Sequence, residues 1–246
     1  MWTDVVELRD FYRTSLGRMT RRVLRQRIRE QWSNVSGLSM VGIGYATPYL
    51  LPFRDEAARV AAVMPAPQGV LRWPQEGDCL VALADEAELP LPDVSVDRVL
   101  LVHALECSDQ LRPMLREVWR VLTDGGRVLV VAPNRRGIWA RLDRTPFGAG
   151  EPYTLGQLSR LLRDNLFTPT ASSTALYLPP TGSRMLVASA GAWEKVGRRL
   201  FDTFGGVHLM EASKQLYAGS PGIPVAARRR RVYGPVPGAV ERTPSR

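Results

Sequence analysis

Val81-Ala-Leu-Ala-Asp85-Glu-Ala-Glu-Leu-Pro90-Leu-Pro-Asp93 leads into Val94-Ser-Val-Asp97-Arg-Val-Leu-Leu-Val-His103. After a helical stretch comes Gly125-Gly126-Arg-Val-Leu-Val-Val-Ala-Pro-Asn134. The run Val99 to Val102 is apolar without a break, the pattern of a parallel strand buried on both faces, and Val128 to Ala132 repeats it. Between the two, Leu111, Met114, Leu115, Val118, Val121 and Leu122 fall at helical spacing, with Pro113 early, where a helix tolerates it. The unit is β-α-β. Gly125-Gly126 follows the last apolar helical residue and is expected to supply the positive φ of a short helix-to-strand turn. A parallel sheet with crossover helices is the implied architecture.

On these residues the segment resembles the second half of a class I S-adenosylmethionine-dependent methyltransferase. Asp85, Leu89-Pro90, the turn Asp93 to Asp97, the strand Val99 to Val102 and the helix end Glu117-Val118-Trp119-Arg120-Val121-Leu122-Thr-Asp-Gly125-Gly126 occur in that family's order. The resemblance covers residues 37 to 217. It implies an α/β fold with a doubly wound, mostly parallel seven-stranded sheet, whose last strand inserts antiparallel between strands five and six. It also implies S-adenosyl-L-methionine as cofactor and methyl transfer to an acceptor, small molecule or protein, that the residues do not name.

Composition bounds the rest. A chain of 246 residues with 45% hydrophobic and 23% charged content has the make-up of an ordinary soluble globular protein and room for one α/β domain with small additions. No apolar run approaches the roughly 20 residues that cross a bilayer. Asp4, Glu7 and Asp10 lie early, with no apolar core segment beside them, so a secretory signal is not expected and the chain reads as cytoplasmic. Cys79 and Cys107, with two histidines in the chain, cannot build a disulfide framework or a four-ligand zinc site, and no metal is expected.

The net charge of +9 is concentrated at the ends: residues 1 to 32 carry +4 and residues 219 to 246 carry +5. Residues 33 to 218 are balanced, so the basic pI describes the termini and not a site. In the segment 1 to 36, Leu16, Met19, Val23, Leu24, Ile28 and Trp32 recur at steps of three and four between arginines. The spacing predicts a basic amphipathic helix starting near Thr14 or Ser15. A lead-in helix packed on the sheet edge or lidding the cofactor pocket, with a solvated arginine face, ranks ahead of a nucleic-acid or membrane-surface contact. Only Lys195 and Lys214 among the 33 basic residues are lysine, so arginine abundance is also a matter of composition. The tail 219 to 246, dense in Gly, Pro and Arg, reads as disordered.

Leu38 to Pro48 reads as strand one and its turn, where small residues let backbone approach a nucleoside. The resemblance places cofactor contacts on Gly42, Gly44, Tyr45 and Ala46. Gly42 stands where the family has Asp, and Ala46 and Pro48 replace its second and third glycines. A short helix containing Glu56 to Arg59 is expected before strand two, Val60 to Ala66. Met64 stands at the end of that strand, where the family has a ribose-binding carboxylate. A thioether cannot accept those charge-assisted bonds. Asp85, at the end of strand three (Leu80 to Ala84), corresponds to the residue facing the adenine amino group, with Glu86 and Ala87 supplying backbone contacts. As a plain turn, Asp85 would instead cap its own loop. His103 closes strand four at the ligand edge of the sheet. A place in the pocket wall ranks ahead of a general base for it, and Glu106 and Cys107 have weaker claims.

Residues 135 to 152 form an insert on the acceptor side in which arginines and aromatics alternate, a pattern that suits an anionic or planar acceptor and equally a plain packing arm with exposed arginines. Tyr153 opens a helix, 167 to 178 give strand six, a long helix runs from about Ser183 to Phe204 with a break near Gly191, and 207 to 217 give strand seven. Gly42, Pro48 and Met64 together motivate a second reading: a catalytically inactive relative that serves as a binding or regulatory partner of another protein.

Overall fold

The computed structural model describes residues 2–142, 144–200 and 202–215, and the basic tail lies outside them. Seven strands form one sheet in the order β3-β2-β1-β4-β5-β7-β6, with β1 Ser39–Gly44, β2 Arg59–Pro65, β3 Val81–Ala84, β4 Val96–Val102, β5 Leu122–Pro133, β6 Phe167–Ala175 and β7 Val207–Lys214. The first five pair in parallel, and β7 runs antiparallel between β5 and β6, as the sequence predicts.

Alternation along each strand feeds two core layers. Leu100 and Val102 of β4 and Leu129 and Val131 of β5 point to one face. Val99, Leu101, Val128 and Val130 point to the other. The second layer is closed by α4 (Leu111–Val121) and α5 (Leu155–Asp164) through Met114, Leu115, Val118, Leu158 and Leu162, all fully buried. The first is closed by α1 (Val5–Arg13), α2 (Ser15–Gln31) and α3 (Thr47–Leu50). The described residues form one compact unit, and the basic N-terminal segment shares the core of the sheet.

The helix predicted from Thr14 is α2, with Thr14 as its N-cap accepting from the Gly17 amide at 2.9 Å. Its apolar stripe lies inward. At its end the Trp32 indole donates to Glu211 of β7 at 2.9 Å, and Arg27, 6% exposed, meets Glu194 at 3.4 Å. The preceding α1 has its own N-cap, Asp4, which accepts from the Val6 amide at 2.6 Å. Val5, Leu8 and Tyr12 form its buried stripe. Gly17 makes the corner between α1 and α2 possible: a Cβ there would lie 2.1 Å from the Phe11 carbonyl oxygen.

Three expectations are corrected. Gly125 and Gly126 do not have positive φ. Leu122 already takes extended angles after α4, and both glycines lie within β5. There the five steps of β5 from Leu122 to Arg127 lie opposite the two steps of β4 from Val96 to Arg98, so the helix-to-strand change is absorbed by an irregular pairing. No helix covers Glu56 to Arg59: the β1–β2 crossover is α3 and a 3-10 turn at Leu51–Phe53, and Arg59 opens β2. Glu56 instead accepts from the Val35 amide and pairs with Arg29 at 2.6 Å. The long helix is broken as expected, into α6 (Arg184–Ala188) and α7 (Ala190–Leu200), but at Ser189 rather than Gly191. Among the described residues no helix is long and apolar enough to cross a membrane.

Candidate functional site

The carboxyl ends of β1 and β4 lie side by side while β2 and β5 diverge to either flank, which is the switch point where open α/β sheets bind ligands. Gly44 ends β1 with φ +79°, and a Cβ there would stand 2.4 Å from the Val102 carbonyl oxygen. The position therefore demands glycine. The next amide, Tyr45, donates to the same oxygen at 2.8 Å, so the turn is pulled against β4.

Gly42 has a different cause. A Cβ would meet that of Ala46 at 2.5 Å and Leu50 Cδ1 at 2.7 Å, because α3 packs directly on β1. An aspartate could not occupy this position without displacing α3. Met64 is fully buried within the apolar layer, beside Leu83 of β3 in register.

Asp85 behaves as its plain-turn reading predicts: its Oδ1 accepts from the Ala87 amide at 2.8 Å. Glu86, 4% exposed, accepts from the Gln110 amide at 2.9 Å, tying this loop to the start of α4. Burial raises the Glu86 carboxyl above the ordinary glutamate range against the pull of that amide.

His103 is the hub. It is 1% exposed, with φ +50°, a left-handed conformation that costs a non-glycine residue about 1–3 kcal/mol. Its carbonyl accepts from the buried Gln68 amide at 3.3 Å, and its ring tilts against Phe147 at 4.7 Å. Nε2 lies 2.8 Å from the Tyr12 hydroxyl, which itself accepts from Tyr49 at 2.7 Å. Tyr12 therefore donates to Nε2, and the imidazole proton is assigned to Nδ1, which faces Glu106 Oε1 at 3.3 Å. Burial raises both tyrosine pKa values, so the relay stays protonated at physiological pH.

Tyr12, Tyr49, Gln68 and Phe147 were not anticipated in the sequence. The signal for Tyr12 was present: Asp4 as cap, then Val5, Leu8 and Tyr12 at helical spacing. In the fold α1 lies across the strand ends. Trp2 packs with Leu105 and Cys107 beyond β4, Val5 lies against Gly69 beyond β2, and Tyr12 stacks on Tyr45 at 5.5 Å and 14°. Val5, Leu8 and Tyr12 are 4%, 0% and 3% exposed.

A test of fit for S-adenosylmethionine follows from these contacts. The tight turn at Gly44 is suitable, but Gly42 and Met64 offer no carboxylate, and side chains of α1 occupy the crevice. As folded here, the residues do not fit the cofactor. Of the two readings of the insert, the contacts match the packing arm: Trp139 is buried and donates to the Leu178 carbonyl at 2.8 Å, and Phe147 is buried against His103. These aromatics are core and present no acceptor-stacking face. Among the described residues no three His, Cys, Asp or Glu side chains gather as a metal site would require.

Residues 40–130 match the family model described as a methyltransferase domain. No curated protein matches the chain. A solved S-adenosylmethionine-dependent methyltransferase of Thermotoga maritima, described as a possible histamine N-methyltransferase, is similar with a TM-score of 0.60 and 16% identity over 86% of this chain and 96% of that one. A Haloferax volcanii structure, a complex of the Trm112 methyltransferase activator with a methyltransferase, is similar at 0.55 and 15% over 78% and 94%. Burkholderia thailandensis 1,6-didemethyltoxoflavin-N1-methyltransferase, bound to 1,6-didemethyltoxoflavin and S-adenosylhomocysteine, is similar at 0.50 and 16% over 82% and 79%. The matched methyltransferase domain runs from β1 into β5, and the chain shares the Rossmann-like fold of these solved methyltransferases.

Proposed function

We propose that the protein is an S-adenosylmethionine-dependent methyltransferase of an unidentified small-molecule or protein acceptor, in which α1 is a displaceable cover over the cofactor crevice. One observation carries this reading. The ring of Tyr12, which precedes the matched residues 40–130, stands between Tyr45 and His103, while the Gly44 turn and the β4 end beneath it keep their places on the sheet. Removing the Tyr12 ring would clear the space between Tyr45 and His103, where it now stacks and bonds. Cofactor contacts would then fall on Gly44, Tyr45 and Ala46 and on the Asp85–Ala87 loop, with His103 in the pocket wall.

A second reading rests on Gly42 and Met64, whose packing forbids the two carboxylates: a relative that binds a protein partner and transfers no methyl group. Calorimetric titration with S-adenosylhomocysteine of the full chain and of Tyr12→Ala, each checked for a cooperative melt, separates the two. The first reading expects the variant to bind at least about tenfold more tightly than the parent. Silence from both at millimolar ligand would remove it and leave the second.

A further inference from the structure

Outside α1, beside the β1 turn, a cleft of about 710 Å³ opens between three chain segments. Arg9 and Arg13 reach it from α1, Arg21 and Arg25 from α2, and Arg72 from the β2–β3 connection, with Tyr45 and Trp73 in the wall. Asp10 takes up Arg9 at 2.9 Å and Arg13 at 3.8 Å. Arg21 and Arg25 make no ion pair among the described residues.

The ordinary account of such arginines is a solvated helix face, and Arg25 departs from it. Its Nε donates to the Pro48 carbonyl, 23 residues away, at 2.7 Å, which fixes the guanidinium over the β1 turn, and its two terminal nitrogens have no hydrogen-bond partner among the described residues. It is half-buried, and burial together with the positive charge of Arg21 one turn earlier lowers its pKa. Like charges at that spacing repel. A hollow of about 330 Å³ lined by Arg18, Arg21, Arg22 and Arg25 continues the same surface. The fold thus holds several cations together, one already immobilised, around a concavity of the size that takes small ligands, about 300–1,000 Å³.

We infer that this cleft is a binding site for a small ligand bearing a diphosphate or triphosphate group. Guanidinium forks match phosphate oxygens two at a time, and a pre-positioned fork loses little freedom on binding. One phosphate cannot answer cations converging from three segments, whereas a chain of two or three spans them. The inference does not depend on methyl transfer.

The test is calorimetric titration of the full chain with inorganic triphosphate and with ATP at low salt, about 50 mM. Saturable binding of either probe is expected. Arg21→Gln/Arg25→Gln should weaken it by at least about tenfold. Arg160→Gln/Arg163→Gln removes the same charge from the exposed face of α5 and should change it by less than about twofold. Arg72→Gln, at an exposed position, should cost about threefold or more and serves if the α2 pair fails to fold. No saturable binding of either probe, equal loss in both double variants, or binding of a single-stranded RNA oligomer but neither probe would overturn the inference.

Discussion

The Tyr12 hydroxyl and His103 Nε2 meet at 2.8 Å across 91 residues of chain, at the carboxyl end of β4. The contact joins the N-terminal helix to the end of β4 and orders Tyr49, Tyr12 and His103 into one donor chain. Deleting the hydroxyl strands two buried polar groups at once. Tyr12→Phe is expected to lose about 1–3 kcal/mol in urea denaturation, and Tyr12→Ala, which also leaves a ring-sized void, about 3–5 kcal/mol.

Met64 offers a sharper contrast with the family. Placing the missing carboxylate there would bury a charge in an apolar layer, so Met64→Asp is expected to lower stability by several kcal/mol or to prevent folding, not to restore a ribose contact. Met64→Leu should cost less than about 1.5 kcal/mol. Chemical denaturation of both, read with S-adenosylhomocysteine titration, checks this.

At the β1 turn, Gly44→Ala combines a positive φ with a 2.4 Å approach to the Val102 oxygen and should be more damaging than Gly42→Ala, whose neighbours are side chains. Overpacking at Gly42 costs about 1–3 kcal/mol. Reversal of that order in melting experiments would mean α3 does not pack on β1 as described.

Cys107 is a reporter of α1. Burial raises its thiol to about 12, with Thr3 of the N-terminal segment among its partners, while Cys79 is exposed. Alkylation of the native protein should modify Cys79 quickly and Cys107 only when α1 lifts. Tyr12→Ala should speed Cys107 labelling by about tenfold or more. Bound triphosphate, gripping Arg9 and Arg13 of α1, should slow it.

Acid stability should depend on Glu117. The hydrogen bond from Arg120 lowers its pKa below the ordinary 4.5, with the Leu89 amide assisting. A depressed carboxylate contributes stability above the unfolded value and loses it as pH falls through the folded one, so the contribution disappears below about pH 4.5. Glu117→Gln should flatten the acid limb of the denaturation midpoint between about pH 5 and pH 3.

The sheet was legible because its strands obey a local rule: an unbroken apolar run such as Val99 to Val102 has one good use, a parallel strand covered on both faces. Helix α2 was legible for the same reason, from its cap and stripe. What failed was set by contacts between distant segments. Gly42 reads as a lost aspartate until α3 is seen against β1, and Trp139 reads as an acceptor platform until its indole is found on Leu178. Gly125-Gly126 reads as a turn, yet the register of β4 against β5 draws both into a strand. Helix α1, nine residues long, carries its meaning through Tyr12, and no local pattern announces a partner at His103.

The place of β7 governs the order in which the molecule can be completed. Among the described residues β6 pairs in the sheet with β7 alone, and β7 is the last of their strands to be synthesised. Until Val207–Lys214 leaves the ribosome, a growing chain carries the open edge of β5 and an unpaired β6, both templates for pairing with another molecule. The late arrival of one eight-residue strand closes both at once, and the Lys214 ammonium then seals the seam by donating to the Leu122 carbonyl at 2.7 Å.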